Sequence, residues 1–185
     1  ETERLILRPF RETDLEDFYA YASVEGVGEM AGWPHHTSME TTRKVLDSFI
    51  RGRNIFAVVW KETGRVIGSL GLHESWTEQE PEYRGLRCVE IGYVLAKEFW
   101  GRGLMTEAAK KLIEYAFEVM GLEVLAITTS DRNLRSQRVI EKCGFVYEGR
   151  LRNSYKIYDG TVTELRCYSM LREEYTAMKR GEING

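Results

Sequence analysis

Cysteine and proline are scarce in this chain, three of each in 185 residues. No uncharged apolar run approaches the ~18 residues that a membrane helix requires. Cys88, Cys143 and Cys167 form an odd set, spaced too widely for a paired or metal-binding motif, so neither a disulfide scaffold nor a metal module is expected. Buried thiols in a reducing cytosol are expected instead. The opening Glu1-Thr2-Glu3-Arg4 has nothing of a signal peptide's apolar stretch, which adds to the expectation of a cytoplasmic protein with no membrane partner. Neither sign of charge is in excess: Lys+Arg 26 against Asp+Glu 29 gives a formal net charge of −3. That balance argues against a nucleic-acid binder relying on bulk positive charge.

What is present is core-forming material. With 43% apolar and 11% aromatic residues, a chain this long should bury roughly 70% of its unfolded surface, which excludes disorder as its main state. No repeat, low-complexity tract or linker interrupts it, so one domain over residues 1–185 is expected. With prolines only at Pro9, Pro34 and Pro81, punctuation falls mainly to glycine.

Leu5-Ile6-Leu7 before Arg8-Pro9-Phe10 reads as a short strand ending at the proline. Thr13-Asp14-Leu15-Glu16 has the capping-box pattern and predicts a helix to about Ser23; Thr37-Ser38-Met39-Glu40 repeats it and predicts one to about Gly52. Between them lies the loop Gly32-Trp33-Pro34-His35-His36. Ile55 to Trp60 and Arg65 to His73 are β-rich runs joined by the hairpin signal Lys61-Glu62-Thr63-Gly64, and the charged stretch Glu78 to Arg87 reads as an exposed loop. Cys88 to Leu95 is a strand with Val89, Ile91, Tyr93 and Leu95 on one face and Glu90 and Gly92 on the other. A helix from about Leu104 to Met120 carries Ala108, Leu112, Ala116 and Met120 at helical spacing, and Gly121 ends it. Val124 to Thr129 is a strand, Asn133 to Cys143 a helix closed by Gly144, and Phe145 to Leu151 and Val162 to Leu171 are further strands. The expected class is mixed α/β.

The most informative segment is the strand, the turn Phe99-Trp100-Gly101-Arg102-Gly103 and the helix behind it. Backbone N–H groups at a helix start lack intrahelical partners, the macrodipole adds partial positive charge, and glycines let an anion approach. Two nucleotide motifs fail here. A dinucleotide fingerprint would need a third glycine where Thr106 stands, and a Walker loop would need Gly-Lys-Ser/Thr. A plain tight turn remains an alternative reading. A second constellation is Asn133-x-x-Ser136 on the short helix, where Asn133, Ser136, Ile140 and Cys143 fall on one stripe. Arg135, Arg138 and Lys142 make a neighbouring cationic face. Asn133 as a helix cap and the cations as a solvated face is the alternative.

These residues together resemble the GNAT superfamily of N-acetyltransferases, and within it the ribosomal-protein N-terminal acetyltransferase branch. The resemblance runs from Thr2-Glu3-Arg4-Leu5 with Leu7-Arg8-Pro9, through Gly32-Trp33-Pro34 and Glu90-Ile91-Gly92-Tyr93, to Phe99-Trp100-Gly101-Arg102-Gly103 with Thr106-Glu107-Ala108. It continues through Asn133-x-x-Ser136 to Gly144-Phe145 with Glu148-Gly149, covering nearly the whole chain. It implies a single-domain, largely antiparallel twisted sheet flanked by helices on both faces, with acetyl-CoA as co-substrate and no metal.

By position, the resemblance implies that Ile91, Gly92 and Tyr93 offer a backbone edge to the pantetheine arm. It implies a pyrophosphate cradle from Phe99, Trp100, Gly101, Arg102, Gly103 and Leu104, with Met105 and Thr106 behind, and a pantetheine hydrogen bond from Asn133. Arg102, Arg135, Arg138 and Lys142 are candidates for the adenosine phosphates. Two positions depart from the family: Glu98 replaces the usual Gln or Arg that opens the loop, and Ile140 replaces the tyrosine that many members use as the thiolate's proton donor. Ser136 becomes the candidate donor to the departing sulfur. Glu90, beside the proposed cofactor edge, is the candidate base, directly or through water. A backbone N–H near Tyr93 is the candidate oxyanion donor.

The resulting expectation is direct acetyl transfer to a primary amine, most simply a protein N-terminal α-amine, whose pKa of roughly 7.7–8.0 asks less of a base than lysine's of about 10.4. A small-molecule acetyltransferase acting on a polyamine, amino sugar or drug amine, and a silent acyl-CoA-binding module, remain the alternatives. Trp33, Pro34, His35 and the Glu78 to Arg87 stretch are candidate walls of an acceptor pocket, with surface decoration as the alternative. His35 and His36 are adjacent residues and do not make a metal site by themselves. Family members often form homodimers, though no interface is legible here.

Overall fold

A computed structural model describes residues 1–75 and 88–181 of the chain. The expected exposed loop from Glu78 to Arg87 lies outside the described residues. Seven strands, β1 (Leu5–Pro9), β2 (Ile55–Trp60), β3 (Val66–His73), β4 (Cys88–Leu95), β5 (Val124–Ser130), β6 (Val146–Lys156) and β7 (Val162–Leu171), form a sheet in the order β1-β2-β3-β4-β5-β7-β6. Among the described residues five α-helices accompany it: α1 (Leu15–Ala22), α2 (Met39–Gly52), α3 (Leu104–Glu118), α4 (Leu134–Lys142) and α5 (Arg172–Lys179). The chain is mixed α/β with mostly antiparallel pairing. It divides into two compact units, and β3, β4 and α3 each run from one into the other.

The first unit comprises Glu1–Gly71, Tyr93–Ala108 and Ile157–Asp159. Here β1 pairs antiparallel with β2 from Leu5 opposite Trp60 to Pro9 opposite Phe56, and β2 pairs with β3 around the predicted hairpin. Ala96 N–H donates to the Ile67 carbonyl at 2.8 Å, tying the end of β4 to β3. Phe10, Phe18, Tyr21, Leu46, Ile55 and Val59 belong to the apolar core that gathers these elements. Both helix starts are offset from their sequence pattern. A short 3₁₀ turn, Glu12–Asp14, precedes α1, so Asp14 rather than Glu16 reaches back, accepting from the Arg11 N–H at 2.8 Å. Asp14 also receives Arg8 through two bonds of 2.7 Å. At α2 the cap is Ser38, one residue beyond Thr37, its Oγ accepting from the Thr41 N–H at 3.1 Å.

The second unit comprises Leu72–Gly92, Ala109–Lys156 and Gly160–Gly185. Its β4 portion pairs parallel with β5, Glu90 opposite Ala126, and β5 pairs antiparallel with β7. The hairpin of β6 and β7 is longer than the sequence predicts, with β6 reaching Lys156. Within α3, Ala109, Leu112, Ile113, Ala116 and Phe117 are buried, whereas Met120 lies past the helix end. The sequence did not show α5. Its eight residues are held from outside: Arg172 N–H donates to the Glu123 carbonyl at 3.0 Å, its Nη1 donates to the Phe117 carbonyl at 3.1 Å, and Tyr175 stacks on Phe117 at 4.9 Å. The cysteines 88, 143 and 167 are free and buried.

Candidate functional site

In the first unit the junction of β4 with α3 depends on backbone that only glycine adopts freely. Gly101 and Gly103 stand at φ +77° and +76°. A Cβ at Gly101 would meet nothing within 4 Å, and one at Gly103 would meet only the far end of Arg4 at 3.8 Å. Space therefore does not select these glycines; conformation does. α3 begins immediately behind them, where first-turn N–H groups have no acceptor within the helix.

The neighbouring side chains serve the fold. Trp100 donates its indole N–H to the Leu95 carbonyl at 2.7 Å, and Phe99 packs on Trp60 at 4.9 Å between ring centroids. The Arg102 guanidinium lies 5.2 Å from the Phe99 ring centroid and 6.0 Å from that of Trp60, a cation–π arrangement. Leu104 and Met105 are buried, and Thr106 is half-buried. In the stretch expected to form a cradle, the side chains of Phe99, Trp100 and Arg102 are engaged with their neighbours and those of Leu104 and Met105 are buried.

Glu107, in the first turn of α3, locks the chain's start onto this junction. It accepts from the Arg4 N–H at 2.9 Å, Arg4 Nε at 2.7 Å and the Thr2 hydroxyl at 2.5 Å. Arg4 Nη1 also donates to the Arg102 carbonyl at 3.1 Å. Burial pushes the Glu107 carboxyl up, but the bonds from Thr2 and Arg4 outweigh it and hold the pKa below its ordinary value.

The Trp33 to His36 loop is built around Glu29, which accepts from the Gly26 N–H at 2.8 Å, the His35 N–H at 3.1 Å and His35 Nδ1 at 2.8 Å. Burial opposes ionisation there, yet these bonds draw the Glu29 pKa down to about 2. His36 is buried with Nδ1 2.9 Å from the Thr42 hydroxyl. Each histidine thus has a structural partner, and among the described residues no three His, Cys, Asp or Glu gather as a metal site.

In the second unit the half-buried Glu90 accepts from the Thr128 hydroxyl at 2.5 Å. Thr128 stands opposite Cys167, and Ala126, the partner of Glu90, stands opposite Ser169. These residues therefore share one face. On β6 the register slips between Tyr147 and Gly149, leaving Glu148 as the extra residue of a bulge, and Glu148 accepts from the buried Ser169 hydroxyl. Burial raises the Cys167 thiol's pKa, and the charges of Glu90 and Glu148 add to that. This thiol is held protonated and is no nucleophile.

Asn133 is the cap of α4, its Oδ1 accepting from the Ser136 N–H at 3.1 Å. Of the predicted stripe, Ser136, Ile140 and Cys143 are buried and Asn133 is half-exposed. Gln137 is buried too, its amide donating to the Ser130 and Asp131 carbonyls at 3.3 and 3.0 Å, an anchor the stripe did not include. Arg135, Arg138 and Lys142 are exposed. On β4, Ile91 is buried while Gly92 and Tyr93 are half-buried. The sequence reading passed over Thr128 and His73. The available signal for His73 was a lone titratable residue closing the otherwise apolar run Val66-Ile67-Gly68-Ser69-Leu70-Gly71-Leu72.

Comparison with known proteins agrees with the resemblance in the sequence. The chain is 29% identical over 177 residues to the uncharacterized N-acetyltransferase YoaA of Bacillus subtilis, covering 93% of this chain and 96% of that one. It is 42% identical over 93 residues to the putative ribosomal N-acetyltransferase YdaF of the same organism, half of each chain. The crystal structure of a GNAT-family acetyltransferase from Bacillus anthracis superposes with a TM-score of 0.82 at 26% identity, covering 94% of this chain and 98% of that one. Residues 4–146 match the acetyltransferase (GNAT) domain, and the chain belongs to the GNAT family of N-acetyltransferases.

Proposed function

We propose that the chain transfers acetyl from acetyl-CoA directly to a protein N-terminal α-amine. The observation that carries this reading is the Thr128 hydroxyl on Glu90. A hydroxyl donor fixes the carboxylate in place, which makes Glu90 the candidate acceptor of the amine's proton. An α-amine, with a pKa of roughly 7.7–8.0, is substantially neutral near pH 7–8 and can use such a base through water, whereas a lysine at about 10.4 cannot readily do so. The second support is Ile140: it is fully buried where many relatives place a tyrosine, so the departing sulfur needs another donor, and Ser136 is the hydroxyl for that part. The half-length similarity to a putative ribosomal N-acetyltransferase points the same way.

Acetyl-CoA fits the chemistry of these residues. The turn at Gly101 and Gly103, open in front and followed by the first turn of α3, suits a pyrophosphate held by main-chain donors. Backbone at Ile91, Gly92 and Tyr93 and the Asn133 side chain would serve the pantetheine, with Arg138 for an adenosine phosphate. In the reaction the amine nitrogen attacks the thioester carbon, a proton leaves the nitrogen, and the thiolate departs and is protonated, so no acetyl-enzyme is needed.

The test is release of CoA from acetyl-CoA, read with a thiol reagent, against N-terminal peptides, polyamines and amino sugars. Peptide turnover is the expected result. Turnover with small amines alone overturns the acceptor class, and tight acetyl-CoA binding without turnover of any amine overturns the enzymatic reading.

A further inference from the structure

Gly92 has a side chain of the neighbouring strand packed against its backbone. A Cβ built on it would stand 2.8 Å from Nε2 and 3.0 Å from Cδ2 of His73, so the imidazole lies directly against the Gly92 backbone. Side chains alternate along a strand, which puts that ring on the face of β4 that also carries Glu90, with the two β4 positions about 7 Å apart. This face carries Glu90 on β4, Thr128 and Ser130 on β5, and Cys167 and Ser169 on β7, with Glu148 of β6 bonded to Ser169 and close enough to act on the Cys167 thiol.

We propose that His73 is the group that takes the proton from the attacking amine, and that Glu90 supplies the negative charge that steadies the imidazolium so formed. This rests on the acetyltransfer reading and changes Glu90 from acceptor to counter-charge. An imidazole, with an ordinary pKa near 6.5, is better matched to proton transfer near neutrality than a carboxylate near 4.3. His73 keeps an exposed edge, yet the protein around the ring removes enough water for burial to lower its pKa, so the neutral, proton-accepting form prevails at neutral pH. The step balances: the C–N bond forms, the C–S bond breaks, one proton passes from nitrogen to Nε2 of His73 and on to water, and the CoA thiolate takes one proton back.

The experiment compares the whole chain with its His73→Gln and Glu90→Gln variants, using acetyl-CoA and an N-terminal peptide. His73→Gln is expected to lower kcat by about 10²-fold, within the usual range for losing a general base, to remove from the acid side of the kcat/KM profile the second ionisation that lies below the amine's own at roughly 7.7–8.0, and to leave acetyl-CoA affinity unchanged. Glu90→Gln is expected to keep that second ionisation and move it to lower pH. Independently of turnover, the His73 imidazole followed by NMR should titrate at lower pH in Glu90→Gln, because the stabilising charge is gone. Wild-type turnover with the second ionisation intact in His73→Gln overturns the proposal alone, as does a His73 titration that Glu90→Gln leaves unmoved. A wild-type chain that turns over no amine overturns the acetyltransfer reading and this proposal with it.

Discussion

Thr128 donates its hydroxyl to Oε1 of Glu90 at 2.5 Å from a position two residues along β5 from Ala126, the register partner of Glu90. Parallel pairing makes this reach natural, because positions two apart on one strand project from the same face as their neighbours across the ladder. The bond fixes the carboxylate against the sheet and lends it the short geometry of a charge-assisted hydrogen bond.

Removing the donor should show in the rate. Thr128→Val is expected to lower kcat/KM for the amine by about tenfold, on the order of the ~1.5–3 kcal/mol attributed to hydrogen bonds with charged groups. Thr128→Ser, which keeps the hydroxyl, should restore most of the activity. Steady-state kinetics on the two variants checks this, and a valine variant as active as the wild type would remove Thr128 from the site.

Gly101 and Gly103 should tolerate alanine in space but not in backbone conformation. Each substitution places a Cβ where nothing nearer than 3.8 Å obstructs it, so the cost is the left-handed backbone, about 1–2 kcal/mol for each alanine. Gly101→Ala and Gly103→Ala should weaken acetyl-CoA binding through a displaced main chain. Calorimetric titration with acetyl-CoA, set beside thermal unfolding of the unliganded variants, separates the two effects.

Glu29 predicts part of the acid sensitivity of the fold. Its folded pKa of about 2 lies below the ordinary 4.5, so the unfolded chain takes up the proton first. The stability this provides is fully present above about 4.5 and is lost as the pH falls toward about 2. Thermal unfolding followed between pH 6 and pH 2 should therefore show a smaller fall in Tm for Glu29→Gln than for the wild type.

Ile140 should resist conversion to the tyrosine that many relatives carry. It is fully buried in the second unit, and a larger, polar side chain there overpacks the core at about 1–3 kcal/mol. Ile140→Tyr is expected to lower Tm without raising kcat. A gain in kcat would show that the position still faces the chemistry.

The strand and helix pattern was largely readable, because β2, β4, α2, α3 and α4 carry their own apolar periodicity and glycine stops. What the residues could not disclose locally was α5, whose eight residues depend on Arg172 reaching the Phe117 and Glu123 carbonyls and on Tyr175 stacking against Phe117. The start of α1 was misplaced for a similar reason. Asp14 pairs with Arg8, six residues away on another element, and accepts from the Arg11 N–H, so the cap is Arg11 rather than Thr13.

The candidate site divides along the same line. Glu90, Gly101, Gly103 and Asn133 could be found from the chain alone, since a carboxylate in a strand, left-handed glycines before a helix and a capping asparagine are local signals. Thr128 could not, and His73 showed only as a lone titratable residue closing an apolar run, because a hydroxyl on β5 and an imidazole at the end of β3 acquire meaning only when pairing brings them to Glu90 and Gly92. Sequence determined the backbone conformations, which each residue's own sterics dictate. The tertiary structure alone decided which side chains share a face, because that depends on strand register between residues far apart in the chain.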